Sequence, residues 1–379
     1  MSDALQRHYD ILIVGAGIAG ASVAYELAAD AKVAVLEMED HPGYHTTGRS
    51  AAVYSEIYGP APIRALTSQG RAFFEDPPDV FGNDPLLTPR GVIYIARDDQ
   101  LESLAALEKS IGDKPGVRPV EADDIQELMP LLRDGYVAGG LFEESARGID
   151  VNSLHQGYLR GLRSRDGEVF TNAEVVAAER KAGHWRVSTK AGDFSAPVLI
   201  NAAGAWADEF AVIAGAKKVG LVPKRRTALI VPAPEGVNPD PWPGTVDVDE
   251  EFYLKPDAGR LLISPADETP SAPCDAQPEE IDIAICIERI HQAYKLNVRR
   301  IENSWAGLRS FVSDHAPVCG FDPDVEGFFW LAGQGGYGIQ SSPGLSQFAA
   351  SLVRGAPLPS GLGERGFEIA SVAPERMRQ

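Results

Sequence analysis

The sequence predicts an α/β fold, α+β overall, with a Rossmann-type nucleotide-binding domain interleaved with a mostly antiparallel β domain. Three observations predict it. A run rich in β-branched residues, Tyr9–Val14, leads without a gap into Gly15-Ala16-Gly17-Ile18-Ala19-Gly20 and a helix-forming stretch, Ala21–Ala29. Two further strand–small-residue–helix junctions stand at 198–208 and 328–354. The intervening stretches, about 81–145 and 221–314, hold most of the prolines and alternating patterns such as Gly91-Val92-Ile93-Tyr94-Ile95. One domain is therefore expected from 1–80, 146–220 and 315–379, and a substrate-binding β domain from 81–145 and 221–314. A chain of 379 residues is too long for one simple core, which agrees with two domains.

Each element has a local reason. Tyr9–Val14 suits a strand buried on both faces. In the glycine motif, Gly15 permits the tight turn, Gly17 lets backbone approach a pyrophosphate, and Gly20 lets helix and strand pack closely. The helix that follows offers free N–H groups and a positive dipole end to phosphates. Lys32–Leu36 reads as the second strand; Glu37, 17 residues beyond Gly20, stands at its tip, where a carboxylate accepts ribose hydroxyls. These residues point to a dinucleotide and leave NAD or FAD open. Residues 41–59 are polar and small where an ordinary NAD domain would continue into a helix. Thr47–Ala52 is suited either to run along an extended cofactor or to form a surface loop.

Further on, Glu174–Ala178 and Trp185–Thr189 read as strands with Gly183 and Gly192 in turns. Val198–Asn201 is another buried strand that ends in small residues, with a helix from about Asp208. A helix is expected over Glu279–Leu296. Phe328–Ala332 is expected to run through Gly333–Gly338 into a helix from about Pro343 to Arg354, and the tail after Pro357 to pack loosely.

Composition excludes several classes. Hydrophobic residues make up 44% of the chain, enough for a packed interior, so disordered and fibrous classes are out. With 54 acidic and 35 basic residues the net charge is −19, which argues against nucleic-acid or anionic-membrane partners. Cys274, Cys286 and Cys319 match no zinc or disulfide pattern, and a reducing cytoplasm is expected. Met1–Asp10 is polar and lacks a cleavable signal pattern. The uncharged run Ile11–Tyr25 is 15 residues long, short of the ~20 an integral membrane helix needs. No metal site is expected: Asp322-Pro323-Asp324 reads as a turn and Asp314-His315 as a loop or cap.

Taken in order, the Gly15–Gly20 motif with Glu37, Gly48-Arg49-Ser50-Ala51-Ala52, Asn201–Trp206 and Gly333-Gln334-Gly335-Gly336-Tyr337-Gly338 resemble the FAD-dependent D-amino-acid oxidase and glycine oxidase family. The chain is similar to the bacterial D-arginine dehydrogenases of that family at Pro223–Thr227, Tyr253 and Trp305–Arg309. The resemblance implies non-covalent FAD, with contacts from Gly15, Gly17, Ile18, Ala19, Gly20 and Glu37, and from Arg49, Ser50, Ala51 and Ala52. It further implies contacts from Val175, Val176, Ala203, Gly204 and Trp206, and from Gly333, Gly335, Gly336, Tyr337, Gly338 and Ile339. No cysteine stands near Arg309 to link a flavin covalently; His45 is a remote candidate.

The same resemblance implies that Arg309, Arg226 and the Tyr253 hydroxyl hold a substrate carboxylate, that the Gly336 carbonyl accepts from the substrate amine, and that Tyr58 belongs to a mobile lid. Taken residue by residue, a surface ion pair or a core aromatic is the competing role for these side chains. The implied reaction is oxidative deamination of a D-amino acid. Hydride leaves Cα for flavin N5, and the imino acid hydrolyses to a 2-oxo acid and ammonia. A quinone or O₂ would take the electrons. The chain departs from the arginine-oxidising pattern in carrying Val92 where an acid meets the guanidinium, and Val53 where a lid histidine stands. An apolar side-chain pocket is therefore expected, with Glu56 or Glu251 as possible replacement acids. The alternatives are a flavoenzyme acting on a 2-hydroxy acid or an N-methyl amino acid, and a non-catalytic flavin-fold subunit.

Overall fold

The first sheet has six strands, in the order Glu168–Phe170, Val33–Leu36, Ile11–Val14, Val198–Asn201, Phe328–Ala332, Val318–Phe321. The first five run parallel and the last pairs antiparallel. This is a computed structural model; it describes residues 7–378, so part of the polar N-terminal stretch lies outside. The continuous apolar runs follow from burial on both faces. Along Ile11–Val14, Ile11 and Ile13 join one core while Leu12 and Val14 join the other. Phe329 and Leu331 against Phe328, Trp330 and Ala332 repeat the alternation.

Helices Ile18–Leu27 and Gly338–Arg354 pack together over one face. A four-stranded sheet covers the other, ordered Arg7–His8, Gly192–Ala196, His184–Thr189, Val175–Lys181. It presses Trp185, Val187 and Phe194 onto that side.

Two sequence expectations are corrected here. The last long helix begins at Gly338, not near Pro343, and passes through the proline. Pro343 has no N–H for the Ile339 carbonyl, and the Ser342 hydroxyl donates to that carbonyl instead, at 2.9 Å. The tail after Pro357 is packed: Leu362, Phe367 and Val372 are buried in the first core. The Val372 carbonyl accepts from the Cys319 N–H at 2.8 Å, and Arg376 and Arg378 pair with Asp314 and Asp322.

The second sheet has nine strands. Eight lie in the order Thr269–Pro270, Val222–Pro232, Arg260–Ser264, Tyr253–Asp257, Gly244–Asp247, Val92–Ala96, Gly139–Glu143, Val117–Glu121, and Asn303–Phe311 pairs beside Val222–Pro232. All pairs are antiparallel except Gly244–Asp247 with Val92–Ala96. One face buries Ile93, Ile95, Leu254 and Ile263 with Ile290 of the helix Glu280–Ala293. The opposite face carries Val92, Tyr94, Tyr253 and Lys255 and looks toward the first sheet's cleft. A small sheet of Val53–Tyr54, Arg147–Ile149 and Leu87–Pro89 ties the segment after Ala52 to the start of strand Val92–Ala96.

Candidate active site

Three adjoining cavities run from the glycine motif to the second sheet. Gly15, Gly17, Glu37, Val175, Ala203, Gly204 and Trp206 line the first. Gly17, Ile18, Ala19, Arg49, Ser50, Ala51, Gly204, Gly335, Gly336, Gly338 and Ile339 line the second. Ser50, Ala51, Ala52, Tyr58, Arg226, Tyr253, Arg309, Gly336 and Ile339 line the third. The shared walls make one trough: Gly17, Thr46 and Thr47 belong to the first two cavities, and Arg226, Tyr253 and Arg309 to the last two. Of the residues expected at the cofactor, Gly20, Gly333 and Tyr337 stand behind the lining, and Val176 is 56% exposed on the far side of its strand.

The first two cavities fit FAD. Gly15 has φ +100°, and a β-carbon there would stand 2.4 Å from the Ala202 carbonyl oxygen, so the turn accepts no side chain. Glu37 is buried, and its carboxylate accepts from the Ala16 N–H at 2.7 Å and the Glu39 N–H at 3.0 Å. A carboxylate offers about four lone-pair sites, so acceptor capacity is left over for ribose hydroxyls. Helix Ile18–Leu27 has no side-chain cap from its own N-cap residue, Gly17. Two buried polar atoms on the second cavity's wall, Ser310 Oγ and Gln334 Nε2, have no partner within the described protein. Buried polar groups are nearly always paired, so a polar ligand edge is the natural partner. The 17-residue helix from Gly338 opens on the same cavity with no acid in its first turn.

In the third cavity Arg309 and Gly336 are stacked. A β-carbon at Gly336 would lie 2.8 Å from Arg309 Nη1 and 2.9 Å from Cζ. The partly buried guanidinium donates to the Tyr58 hydroxyl at 3.2 Å and forms no ion pair among the described residues. Burial alone pulls Arg309 down, but Tyr58, Tyr253 and Glu250 nearby hold it above the ordinary arginine range, so it stays a cation. Arg226 is more engaged: its Nε donates to the Asp267 carbonyl at 2.9 Å and its Nη2 to Glu268 at 3.0 Å. The segment expected to be a lid is fastened. Gln340 donates to the Tyr58 carbonyl at 3.4 Å and accepts from the Ser55 N–H at 3.2 Å, and the Tyr58 ring meets Tyr337 edge-on.

Val53 and Val92 line this cavity with Val246, so part of its wall is apolar. Two charged side chains stand there as well, Glu250 and Lys255. Neither replacement acid named from sequence is present. Glu56 is buried away from the cavity and paired with Arg71 and Lys114, and Glu251 pairs with Arg97. Behind the wall, Glu143 lies cross-strand from Val92, accepting from the Ser55 hydroxyl at 2.6 Å and the Glu56 N–H at 2.8 Å.

Residues 10–352 match the family model described as FAD dependent oxidoreductase, DAO. The chain belongs to this FAD-dependent oxidoreductase family. It is similar to the glycine oxidases of Bacillus licheniformis, 25% identical over 93% of this chain and 95% of the relative, and Geobacillus kaustophilus, 26% identical over 92% and 94%. The crystal structure of glycine oxidase from Geobacillus kaustophilus superposes with a TM-score of 0.82 at 23% identity, covering 97% of this chain and 98% of the other.

Several contacts at the site of this FAD-dependent oxidoreductase, and the residues His155 and Lys255, escaped the sequence reading. The Thr47 hydroxyl accepts from the Ile18 N–H at 2.9 Å, and Thr46 donates to the Leu308 carbonyl at 2.8 Å, so the segment expected beside the cofactor also bridges the two sheets. The Trp305 indole N–H donates to the Arg49 carbonyl at 2.8 Å, and the Arg49 side chain binds Asp275 and the Ala276 and Ala306 carbonyls. His155 is buried beneath the glycine turn, its Nε2 2.8 Å from the Ala16 carbonyl; burial lowers its pKa, which favours the neutral ring donating there. His45 lines the first cavity, with Nε2 2.8 Å from Glu39. Lys255 was accessible in principle, because it stands two residues beyond Tyr253 and so shares its strand face.

Proposed function

We propose that this FAD-dependent oxidoreductase deaminates D-amino acids oxidatively, giving a 2-imino acid that hydrolyses to a 2-oxo acid and ammonia. The observation that carries the reading is Arg309. A partly buried cation with no ion pair among the described residues, on the wall shared by the cofactor and outer cavities, asks for an anion from the ligand. Its planar fork suits a carboxylate. The Tyr58 and Tyr253 hydroxyls complete the clamp, with Arg226 second because Glu268 and the Asp267 carbonyl already engage it. The Gly336 carbonyl is assigned to the substrate amine.

When bound, FAD supplies the two-electron acceptor for oxidation of the Cα–N bond. The protein's part is to hold the carboxylate and amine while the side chain lies along Val53 and Val92, so positioning does much of the work. Glycine oxidases among the relatives support a substrate with an amine beside a carboxylate. The D configuration rests on the motif resemblance. We assign 1–80, 146–220 and 315–379 to the FAD domain, and 81–145 and 221–314 to the substrate domain. FAD is held without a covalent link, since His45 lies in the cavity of the glycine turn. The free cysteines support a cytoplasmic location, and a quinone or O₂ re-oxidises the cofactor.

Product analysis tests the reading. D-Norvaline should yield ammonia and 2-oxovalerate in equal amounts, and release of neither from any D-amino acid would rule the reaction out.

A further inference from the structure

We propose that Lys255 selects substrates carrying a second anionic group, so that the preferred amino acid is dicarboxylic, with its side-chain acid on Lys255 and its α-carboxylate on Arg309. This rests on the carboxylate-clamp reading above. Lys255 follows Tyr253 on one face of the strand Tyr253–Asp257 and lines the outer cavity. The strand beside it makes room. A β-carbon at Gly244 would meet Lys255 Cβ at 3.6 Å and Val92 Cγ2 at 3.7 Å, so the lysine stem and Val92 flank a bare stretch of backbone. An aliphatic spacer packs there, and the apolar wall then serves the middle of the substrate side chain rather than its end.

Charge balance in the cavity gives the sign. Three cations, Arg226, Arg309 and Lys255, line it against one carboxylate, Glu250. Glu250 stands 3.9 Å from Arg226, and Glu268 is 3.0 Å from the same guanidinium, so the available carboxylates gather at Arg226. Arg309 and Lys255 form no ion pair among the described residues, and Lys255 makes no side-chain hydrogen bond there. Burial pulls the ammonium below the ordinary lysine range, Asp257 opposing the shift and Arg90 adding to it. An anion beside it opposes that shift and favours the ammonium. Two unpaired cations joined by an apolar wall fit two carboxylates joined by a short carbon chain.

The test uses holoenzyme and unreactive ligands, read by perturbation of the flavin spectrum. Malonate, succinate, glutarate and adipate are titrated against monocarboxylates of equal carbon number, with wild type, Lys255→Met and Lys255→Arg. The best dicarboxylate should bind wild type at least tenfold more tightly than its monocarboxylate partner. Lys255→Met should abolish the preference while leaving monocarboxylate affinity within about threefold, and Lys255→Arg should retain it. Steady-state KM values for D-glutamate or D-aspartate against D-norvaline should follow the same pattern. Monocarboxylates that bind wild type as tightly, or a preference that survives Lys255→Met, would overturn the proposal and leave the clamp standing. If no carboxylate perturbs the flavin, the clamp itself fails and the proposal with it.

Discussion

The Arg309 guanidinium lies flat against the backbone of Gly336, with Nη1 2.8 Å and Nε 3.1 Å from the point a β-carbon would occupy. Gly336→Ala leaves the glycine motif untouched but pushes the guanidinium off its seat. We expect kcat/KM to fall on the order of 10²-fold, about 3 kcal/mol of transition-state positioning. Unchanged kcat/KM would show that Arg309 does not act from this position.

Arg309→Lys keeps the charge and loses the fork. Charge-assisted hydrogen bonds are worth ~1.5–3 kcal/mol, so kcat/KM should drop roughly 10- to 150-fold, mostly through KM. Arg226→Lys should cost less, because Glu268 and the Asp267 carbonyl already take two of its donors. Equal losses at the two positions would contradict the assignment of Arg309 as the principal clamp.

Glu143 predicts an unusual pH dependence of stability. Burial raises its pKa to about 7, only partly opposed by the Ser55 hydroxyl and the Glu56 N–H. The folded state therefore binds this proton more tightly than the unfolded state. Its stabilising contribution is full below the ordinary glutamate pKa and is lost as pH rises toward 7. Glu143→Gln removes the titration and keeps an acceptor for the Glu56 N–H. Its stability relative to wild type should climb by about 3 kcal/mol between pH 4.5 and 8, measured by urea denaturation. Glu56 has the opposite sign. Burial would raise it, but hydrogen bonds from Lys114, Tyr54 and Ser68 prevail and bring it to about 2, so its contribution is full above the ordinary glutamate pKa and is lost as pH falls toward 2. A flat difference between wild type and Glu143→Gln would mean that Glu143 is ionised throughout.

Glu37→Ala removes a carboxylate that braces the glycine turn through Ala16 and faces the first cavity. FAD should bind roughly 10- to 150-fold more weakly, from ~1.5–3 kcal/mol of charge-assisted hydrogen bonding. Flavin fluorescence titration measures this, and an unchanged affinity would remove Glu37 from the cofactor site.

The legible parts of this fold are those whose cause is local. Ile11–Val14, Val198–Asn201 and Phe328–Ala332 are apolar runs that end in small residues, and their junctions reveal themselves without knowledge of the partner strands. The helix Val151–Arg163, which carries His155 under the glycine turn, gave no comparable signal, since its role depends on where Gly43 and Ala16 arrive. Glu250 was hidden for the same reason, and Lys255 shares a strand face with Tyr253 but reaches the cavity only through the pairing of that strand. Their address in the cavity is set by the pairing of Tyr253–Asp257 with Gly244–Asp247, and of that strand with Val92–Ala96. Pairing register depends on partners far along the chain. The tail misled the reading because its apolar residues, Leu362, Phe367 and Val372, are spaced without period and meet the core singly.

Anaerobic titration of the purified holoenzyme with substrate, followed by flavin absorbance, tests the central claim most directly. D-Amino acids should bleach the oxidised flavin stoichiometrically, while L-enantiomers, lactate and N-methylated amino acids leave it oxidised. Bleaching by lactate or by an N-methylated amino acid, with none by any D-amino acid, would contradict the account.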